Sequence, residues 1–443
     1  MAGVRLTEGN VWGTIARFAA PFLLANLFQA LYGAVDLFMV GRFSDAAGVS
    51  AVATGGQVMQ TITGLAVGLT TGGTVRIGQA YGARQGRQVA DAVKTALALF
   101  GLLSLAMTAA TLYLLDEICS IMQVPAQALA GTFDYLRICA LGIPLIMGYH
   151  TVSAVLRGLG DARTPLLFIA AACVVNIVLD YVLVGVRDLG AAGAAIATVI
   201  AQGAGLVLIG LYLCCRGNLR QYRRKRPRLQ TAAARQMLAS GLPIALQEGL
   251  VNVSFLVLTA LINHMGLTES ASVGVVEKLI VFSMLPTTAI ASAVAAITAQ
   301  HLGANLMARA WRCLEAGVLL ALGFGVACFA AAQLAAPALV GLFTNDPQVI
   351  ETGGWYLRSY SLDCVIVCFV FCLNTYFSGG GHPVFPLLHS LVSTVLVRLP
   401  LSWYLSRLPQ ADLFHVGFAA PLASLVSLAL CALFLHRIRT QPD

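Results

Sequence analysis

Gln79-Ala80-Tyr81-Gly82-Ala83 and Gln300-His301-Leu302-Gly303-Ala304 share glutamine, glycine and alanine at one spacing and lie 221 residues apart (300 − 79 = 221). The same offset returns Tyr135-Leu136-Arg137 as Tyr356-Leu357-Arg358, and Pro165-Leu166-Leu167 as Pro386-Leu387-Leu388. Three matches in one register mean one fold built from two homologous halves.

The surrounding composition says what kind of fold. The chain has 443 residues, 58% of them hydrophobic and only 10% charged, with a mean hydropathy of +0.83. A soluble chain of this length could not hide so much apolar surface. The apolar material comes in runs of about twenty residues or more, the length a helix needs to span a bilayer. Alternating strand patterns are absent, which argues against a membrane β-barrel. Glu8, Asn10 and Trp12 precede a first apolar run too long for a cleaved signal peptide, so it reads as a membrane helix. In a membrane chain, internal duplication points to a transporter with its cavity between two lobes.

Twelve helices are expected, over 14–40, 47–74, 91–115, 131–156, 164–186, 190–214, 235–263, 270–298, 311–335, 352–377, 384–407 and 413–437. The expected fold is an all-α integral membrane protein of two parallel, pseudo-symmetric six-helix lobes, residues 1–215 and 235–443. A basic linker, 216–234, joins them. It carries Arg220, Arg223, Arg224, Lys225, Arg226 and Arg228 and no acid. Such a segment beside membrane helices reads as a cytoplasmic loop rather than a nucleic-acid site, and the net charge of +8 is accounted for in this way. Arg76, Arg84, Arg87, Arg157, Arg163, Arg309, Arg312, His436, Arg437 and Arg439 fall on the same expected side, which puts both termini in the cytoplasm. Asp116, Glu117, Asp188, Glu269, Asp346 and Glu351 mark the other side. Of the eleven cysteines, Cys364, Cys368 and Cys372 share one helix face without any CxxC or Cys/His pairing. They read as small buried hydrophobes, not metal ligands.

A charge near the bilayer centre costs about 2.5–3.5 kcal/mol on insertion scales, so intramembrane carboxylates need a reason. Asp36, Asp180, Glu248, Glu277 and Asp363 are the acids so placed, with Lys278 and Arg398 as bases. Asn176 lies four residues before Asp180, on the same helix face. Asp36, Asp180 and Thr198 come out at one depth, about 8–12 Å from the expected outer helix ends at 1.5 Å per residue. With Asn176 they offer carboxylate and other oxygen ligands, a set suited to Na⁺ or to a proton shared between two acids. The repeat register puts Val397 and Leu401 opposite Asn176 and Asp180, and a one-residue shift that pairs Pro21 with Pro243 puts Leu258 opposite Asp36, so this chemistry belongs to the first half. Glu248, Asp363 and Arg398 form a candidate substrate or second-lobe polar site. Glu277 and Lys278 read as mutually satisfied or as snorkelling near an outer helix end. Phe28, Tyr32, Met59, Met147, Phe282 and Met284 are candidates to line an adaptable cavity.

Several stretches carry a family resemblance: Leu6-Thr7-Glu8-Gly9 before Pro21, Val35-Asp36 with Val40-Gly41-Arg42, and Gly68-Leu69-Thr70-Thr71-Gly72 with Gly78-Gln79. Leu156-Arg157-Gly158-Leu159-Gly160-Asp161 completes the set. In this order the chain resembles the multidrug and toxic compound extrusion (MATE) family over nearly its whole length. The resemblance implies a bacterial inner-membrane antiporter that exports amphipathic, cationic drugs or metabolites in exchange for inward Na⁺ or H⁺. It maps the coupling site onto Asp36, Asn176, Asp180 and Thr198. Tyr135 and Ser153, the latter standing where some relatives carry asparagine, are candidates for the cation shell. No cofactor and no nucleic-acid partner are expected, and the protein is expected to act as a monomer. The alternative in the same superfamily is a lipid-linked saccharide flippase, which would be expected to carry more cavity cations than Arg398 and Lys278. An intramembrane lipid enzyme would need a nucleophile–base pair or a motif such as HExxH, and the seven dispersed histidines supply neither.

Overall fold

The computed structural model describes residues 6–216, 228–263, 265–408 and 412–440, and every regular element among them is helical. The first half forms α1 (Val11–Phe43), α2 (Ala46–Gly82), α3 (Gly86–Tyr113), a short α4 (Leu115–Ile121), α5 (Ala126–Gly158), α6 (Arg163–Asp180) and α7 (Gly190–Arg216). The second forms α8 (Thr231–Asn263), α9 (Leu267–Gly303), α10 (Met307–Val340), α11 (Pro347–Tyr360) and α12 (Leu362–Gly379). It ends with α13 (Val384–Leu391), α14 (Leu399–Leu405), α15 (Leu413–Gly417) and α16 (Ala419–Thr440). Two π-helical turns, Tyr181–Val186 after α6 and Val392–Arg398 after α13, continue their helices without a break.

Among the described residues, eleven helical segments are long and apolar enough to cross a membrane. The protein is a multi-pass membrane protein. The remaining predicted span is α2, whose 37 residues are diluted by glycine, threonine and glutamine. Both α2 and α9 run past their predicted ends at 74 and 298, to Gly82 and Gly303. Hydrophobicity stops there, but backbone hydrogen bonding continues. The basic residues His436 and Arg437 also fall within a helix, α16, rather than after it.

The described chain divides into two compact units. The first holds residues 6–8, Ala20–Ala245 and Ala299–Leu306; the second holds Gly9–Ala19, Leu246–Thr298 and residues 307–440. These units exchange short stretches relative to the halves drawn at 215 and 235. Arg220, Arg223, Arg224, Lys225 and Arg226 of the basic linker lie outside the described residues. Where the chain is described again, Arg228 N donates to Asp91 Oδ1 at 2.7 Å and Gln230 Nε2 to Asp91 Oδ2 at 2.7 Å. Gln230 N donates to Thr95 Oγ1 at 3.1 Å, so the approach to α8 is fastened along α3.

In the first unit, one apolar core gathers Val52, Leu136, Ile143 and Val184, and another gathers Ile77, Phe100, Met147 and Met237. The second unit has a core around Leu258, Ile262, Tyr356 and Tyr360. The repeated Gln-x-x-Gly motif has a packing reason inside the first unit. A Cβ at Gly82 would stand 2.0 Å from Gln300 O, and a Cβ at Gly303 would stand 1.9 Å from Gln79 O. Each glycine thus lets the other motif's backbone approach closely. The Gln300 amide uses both ends: its Nε2 donates to Gly158 O at 2.9 Å, and its Oε1 accepts from Leu6 N at 3.2 Å. Cys364, Cys368 and Cys372 are buried as expected, and Cys368 Sγ donates to Ala321 O at 3.3 Å.

Candidate cation-coupling site

Three helices of the first unit bring four polar side chains together. Asp36 of α1 is buried, an expensive position for a carboxylate. Asn176 Nδ2 of α6 donates to its Oδ1 at 3.0 Å, and Thr198 Oγ1 of α7 donates to its Oδ2 at 2.8 Å. Asp180 is completely buried one turn beyond Asn176, and its carboxyl acts electrostatically on that of Asp36. Asp36, Asp180 and Thr198 stand six to eight positions from helix ends, about 9–12 Å, when the π turn that continues α6 is counted.

The oxygens left over matter most. Both carboxylate oxygens of Asp180 and Oδ1 of Asn176 are buried with no hydrogen-bond donor among the described residues. No Lys or Arg among the described residues is coupled to either acid. Two facing carboxylates without a basic partner repel each other unless a proton or cation lies between them. Three spare hard oxygens beside Asp36 fit such a cation.

Asp180 ends the regular part of α6, and the π turn Tyr181–Val186 follows at once. Such one-residue insertions re-aim side chains and are frequent at functional positions. Tyr135 of α5 is buried beside the cluster, where it interacts with Asp36, Asp180 and Cys139. Gly55 of α2 makes room for it, since a Cβ there would stand 2.4 Å from the Tyr135 ring. Ser153 is elsewhere. It lies 18 residues further along α5, about 27 Å for a regular helix, where its buried hydroxyl has no hydrogen-bond partner among the described residues.

Tyr32 is a candidate cavity residue by sequence, with core packing as the alternative. It is buried one turn from Asp36, donates to Ala172 O at 3.4 Å, and interacts with both acids. Its i, i+4 spacing from Asp36 was the available signal. Met59 and Met147 are also buried in apolar cores rather than lining an open cavity.

In the second unit, Asp363 and Arg398 share one electrostatic cluster, but Glu248 stands apart. Glu248 is exposed at mid-length of α8, roughly 140° around the helix from the stripe of Leu242, Leu246, Val253, Leu256 and Val257. Glu277 joins Arg398 and Thr259, while its neighbour Lys278 is exposed. Glu277 feels the charges of both Arg398 and Lys278, so Arg398 is added to the expected Glu277–Lys278 association.

A duplicated, all-helical membrane carrier fold with a buried acid pair is the class these features define. The MatE family profile matches this chain twice, over residues 21–182 and 243–404. The chain belongs to that family, the multidrug and toxic compound extrusion transporters. It is 25% identical to the probable multidrug resistance protein YoeA of Bacillus subtilis over 431 residues, 96% of this chain and 93% of YoeA. It is 23% identical to the multidrug export protein MepA of Staphylococcus aureus, over 87% of this chain and 86% of MepA. Among solved structures, an outward-facing multidrug resistance MATE transporter of the MOP superfamily superposes with a TM-score of 0.90 at 22% identity. That match covers 99% of this chain and 98% of the other.

Proposed function

We propose that this protein is a secondary active antiporter that exports amphipathic, cationic drugs or metabolites in exchange for inward Na⁺ or H⁺. The observation that carries the reading is the acid pair Asp36–Asp180 with Asn176 and Thr198, oxygen-rich and without a basic partner among the described residues. A cation or proton entering this cluster relieves the repulsion between the acids. Any state of the carrier that holds the cluster closed around the ion is then favoured by the difference in affinity between states. In an alternating-access cycle that state releases substrate outward, and loss of the ion inward resets the carrier. Tyr32 and Tyr135 hold the cluster's walls and exclude water. Exposed Glu248 supplies a negative charge for a cationic substrate.

The names of YoeA and MepA, a multidrug resistance protein and a multidrug export protein, support the substrate class. The positive-inside bias supports a bacterial inner-membrane location with cytoplasmic termini. A flippase for anionic lipid-linked saccharides is less well supported, because Arg398 is engaged with Ser254 and Phe255 within its own unit. The test is ethidium transport by purified protein in proteoliposomes, with Na⁺ and pH gradients imposed independently. Transport should follow one of the two gradients, and transport indifferent to both would sink the antiport reading.

A further inference from the structure

Arg398 has a counterpart in the first unit, and a π turn identifies it. Before that turn the repeat offset is 221, at Pro165 and Pro386. The turn Val392–Arg398 has no π counterpart in α6, which is regular from Arg163 to Asp180. A π turn inserts one residue, so the offset becomes 222 beyond it. The paired family matches end at 182 and 404, also 222 apart. Arg398 thus stands in the place of Asn176, and Ser402 in the place of Asp180. This replaces Val397 and Leu401, the counterparts read from the uninterrupted repeat. On the neighbouring helix, the matches beginning at 21 and 243 keep Leu258 in the place of Asp36. Where the first unit has two acids and an amide, the second has a leucine, a hydroxyl and a guanidinium.

Contacts within each unit support the equivalence. Asn176 reaches α1 at Asp36. Arg398 reaches α8, the counterpart of α1: its Nη1 donates to Ser254 Oγ at 3.2 Å, and its guanidinium lies 4.4 Å over the Phe255 ring. The repeated tyrosines also match, with Tyr135 beside Asp36 and Asp180 and Tyr356 beside Arg398. Leu258 is packed into the apolar core.

Two acids act electrostatically on Arg398. Glu277 is bonded to Thr259 and feels Arg398. Asp363 is bonded to Ser424, feels Arg398, and sits in the first turn of α12, where a helix favours negative charge. One oxygen of each acid, and Nε and Nη2 of Arg398, are buried without a hydrogen-bond partner among the described residues. Arginine does not give up its proton in proteins, so this positive charge is permanent.

We propose that Arg398 is a tethered cation that occupies, in the second unit, the role an exchangeable ion plays in the first. The proposal rests on the antiport reading above. It makes the first unit the single ion-loading site and keeps the charge of the second unit constant through the cycle. Removing the tethered charge would turn Glu277 and Asp363 into a second loading site.

The experiment is the ion-to-substrate stoichiometry of the full chain in proteoliposomes, read from the ethidium distribution at equilibrium against imposed Na⁺ or pH gradients. Wild type and Arg398→Lys should share one slope. Arg398→Met should give a steeper slope, approaching double. An Arg398→Met protein that transports with the wild-type slope would overturn the proposal. Should Arg398→Met fail to insert, the triple variant Glu277→Gln/Asp363→Asn/Arg398→Met removes the cation with both acids and should insert and transport with the wild-type slope. An inactive triple variant would show that Arg398 serves another purpose. A wild-type protein indifferent to both gradients would instead sink the antiport reading itself.

Discussion

Asn176 donates its side-chain amide to Asp36 at 3.0 Å, across 140 residues of chain. The geometry fixes the amide's orientation. With Nδ2 turned to Asp36, Oδ1 faces away from it and is left without a donor, in company with both oxygens of Asp180. The amide therefore does two jobs: it stabilises one acid and presents an oxygen beside the other. An apolar residue at 176 would do neither.

Replacing Asp36 by Asn keeps the size of the side chain and removes its charge. Asp180 would then no longer face a second carboxylate, and the need for a cation between them disappears. Gradient-driven efflux of ethidium from cells or vesicles should fall to the empty-vector background. The amount of protein in the membrane, read by immunoblot, should stay near wild type. Undiminished efflux by Asp36→Asn would remove this acid from the coupling site.

Thr198 contributes one hydrogen bond to Asp36, at 2.8 Å from a half-buried position. Hydrogen bonds to charged groups are worth about 1.5–3 kcal/mol, so losing one should shift the half-maximal ion concentration by about tenfold or more. Removing a donor that stabilises ionised Asp36 strengthens its hold on a proton, which then competes with Na⁺ for the carboxylate. Thr198→Ala should therefore raise the Na⁺ concentration needed for half-maximal transport, or shift the pH profile upward if the ion is H⁺. Thr198→Ser, which keeps the hydroxyl, should resemble wild type. Equal behaviour of the alanine and serine variants would contradict the role given to this bond.

Much of this could be seen in the sequence because burying charge in a membrane is expensive. Asp36, Asn176, Asp180 and Thr198 stand out in apolar runs, and helical rise alone puts them at one depth. The two-half architecture was visible because repeated motifs kept their spacing. What stayed hidden depended on local geometry. A one-residue π insertion carries no sequence signature, so an uninterrupted repeat pairs Asn176 with Val397, whereas the turn Val392–Arg398 shifts the register proposed above to Arg398. Glu277 is adjacent to Lys278 in sequence, but only the fold brings it under the charge of Arg398. Tyr32 looked like any aromatic residue in an apolar run, and only packing brings it to Asp36. Ser153 had the polarity for the shell but lies at another level of α5.

Gly55 and Tyr135 form a close pair that can be tested separately from ion binding. A Cβ at position 55 would stand 2.4 Å from Tyr135 Cδ1, and the buried ring has little room to withdraw. Overpacking of this kind costs about 1–3 kcal/mol. Gly55→Ala should lower the Tm in detergent, and adding Tyr135→Ala should recover part of the loss by emptying the space the methyl needs. A thermal double-mutant cycle reads the coupling directly. Strictly additive effects would mean that the two side chains do not compete for one space.

Gly82 and Gly303 pose the sharper problem, because each faces backbone rather than a side chain. A methyl at Gly82 would lie 2.0 Å from Gln300 O, and one at Gly303 would lie 1.9 Å from Gln79 O. Neither carbonyl can rotate away without moving its helix. Gly82→Ala should therefore separate the C-terminal ends of α2 and α9 and strain the bonds Gln300 makes to Leu6 and Gly158. Hydrogen exchange of amides in 299–306 should quicken, and Tm should fall. Gly101→Ala is the control, since a Cβ there meets nothing within 4 Å. The double variant Gly82→Ala/Gly303→Ala should cost less than the sum of the singles, because one separation relieves both contacts. Exchange and Tm in Gly82→Ala indistinguishable from Gly101→Ala would show that the repeated glycines are not what lets these backbones meet.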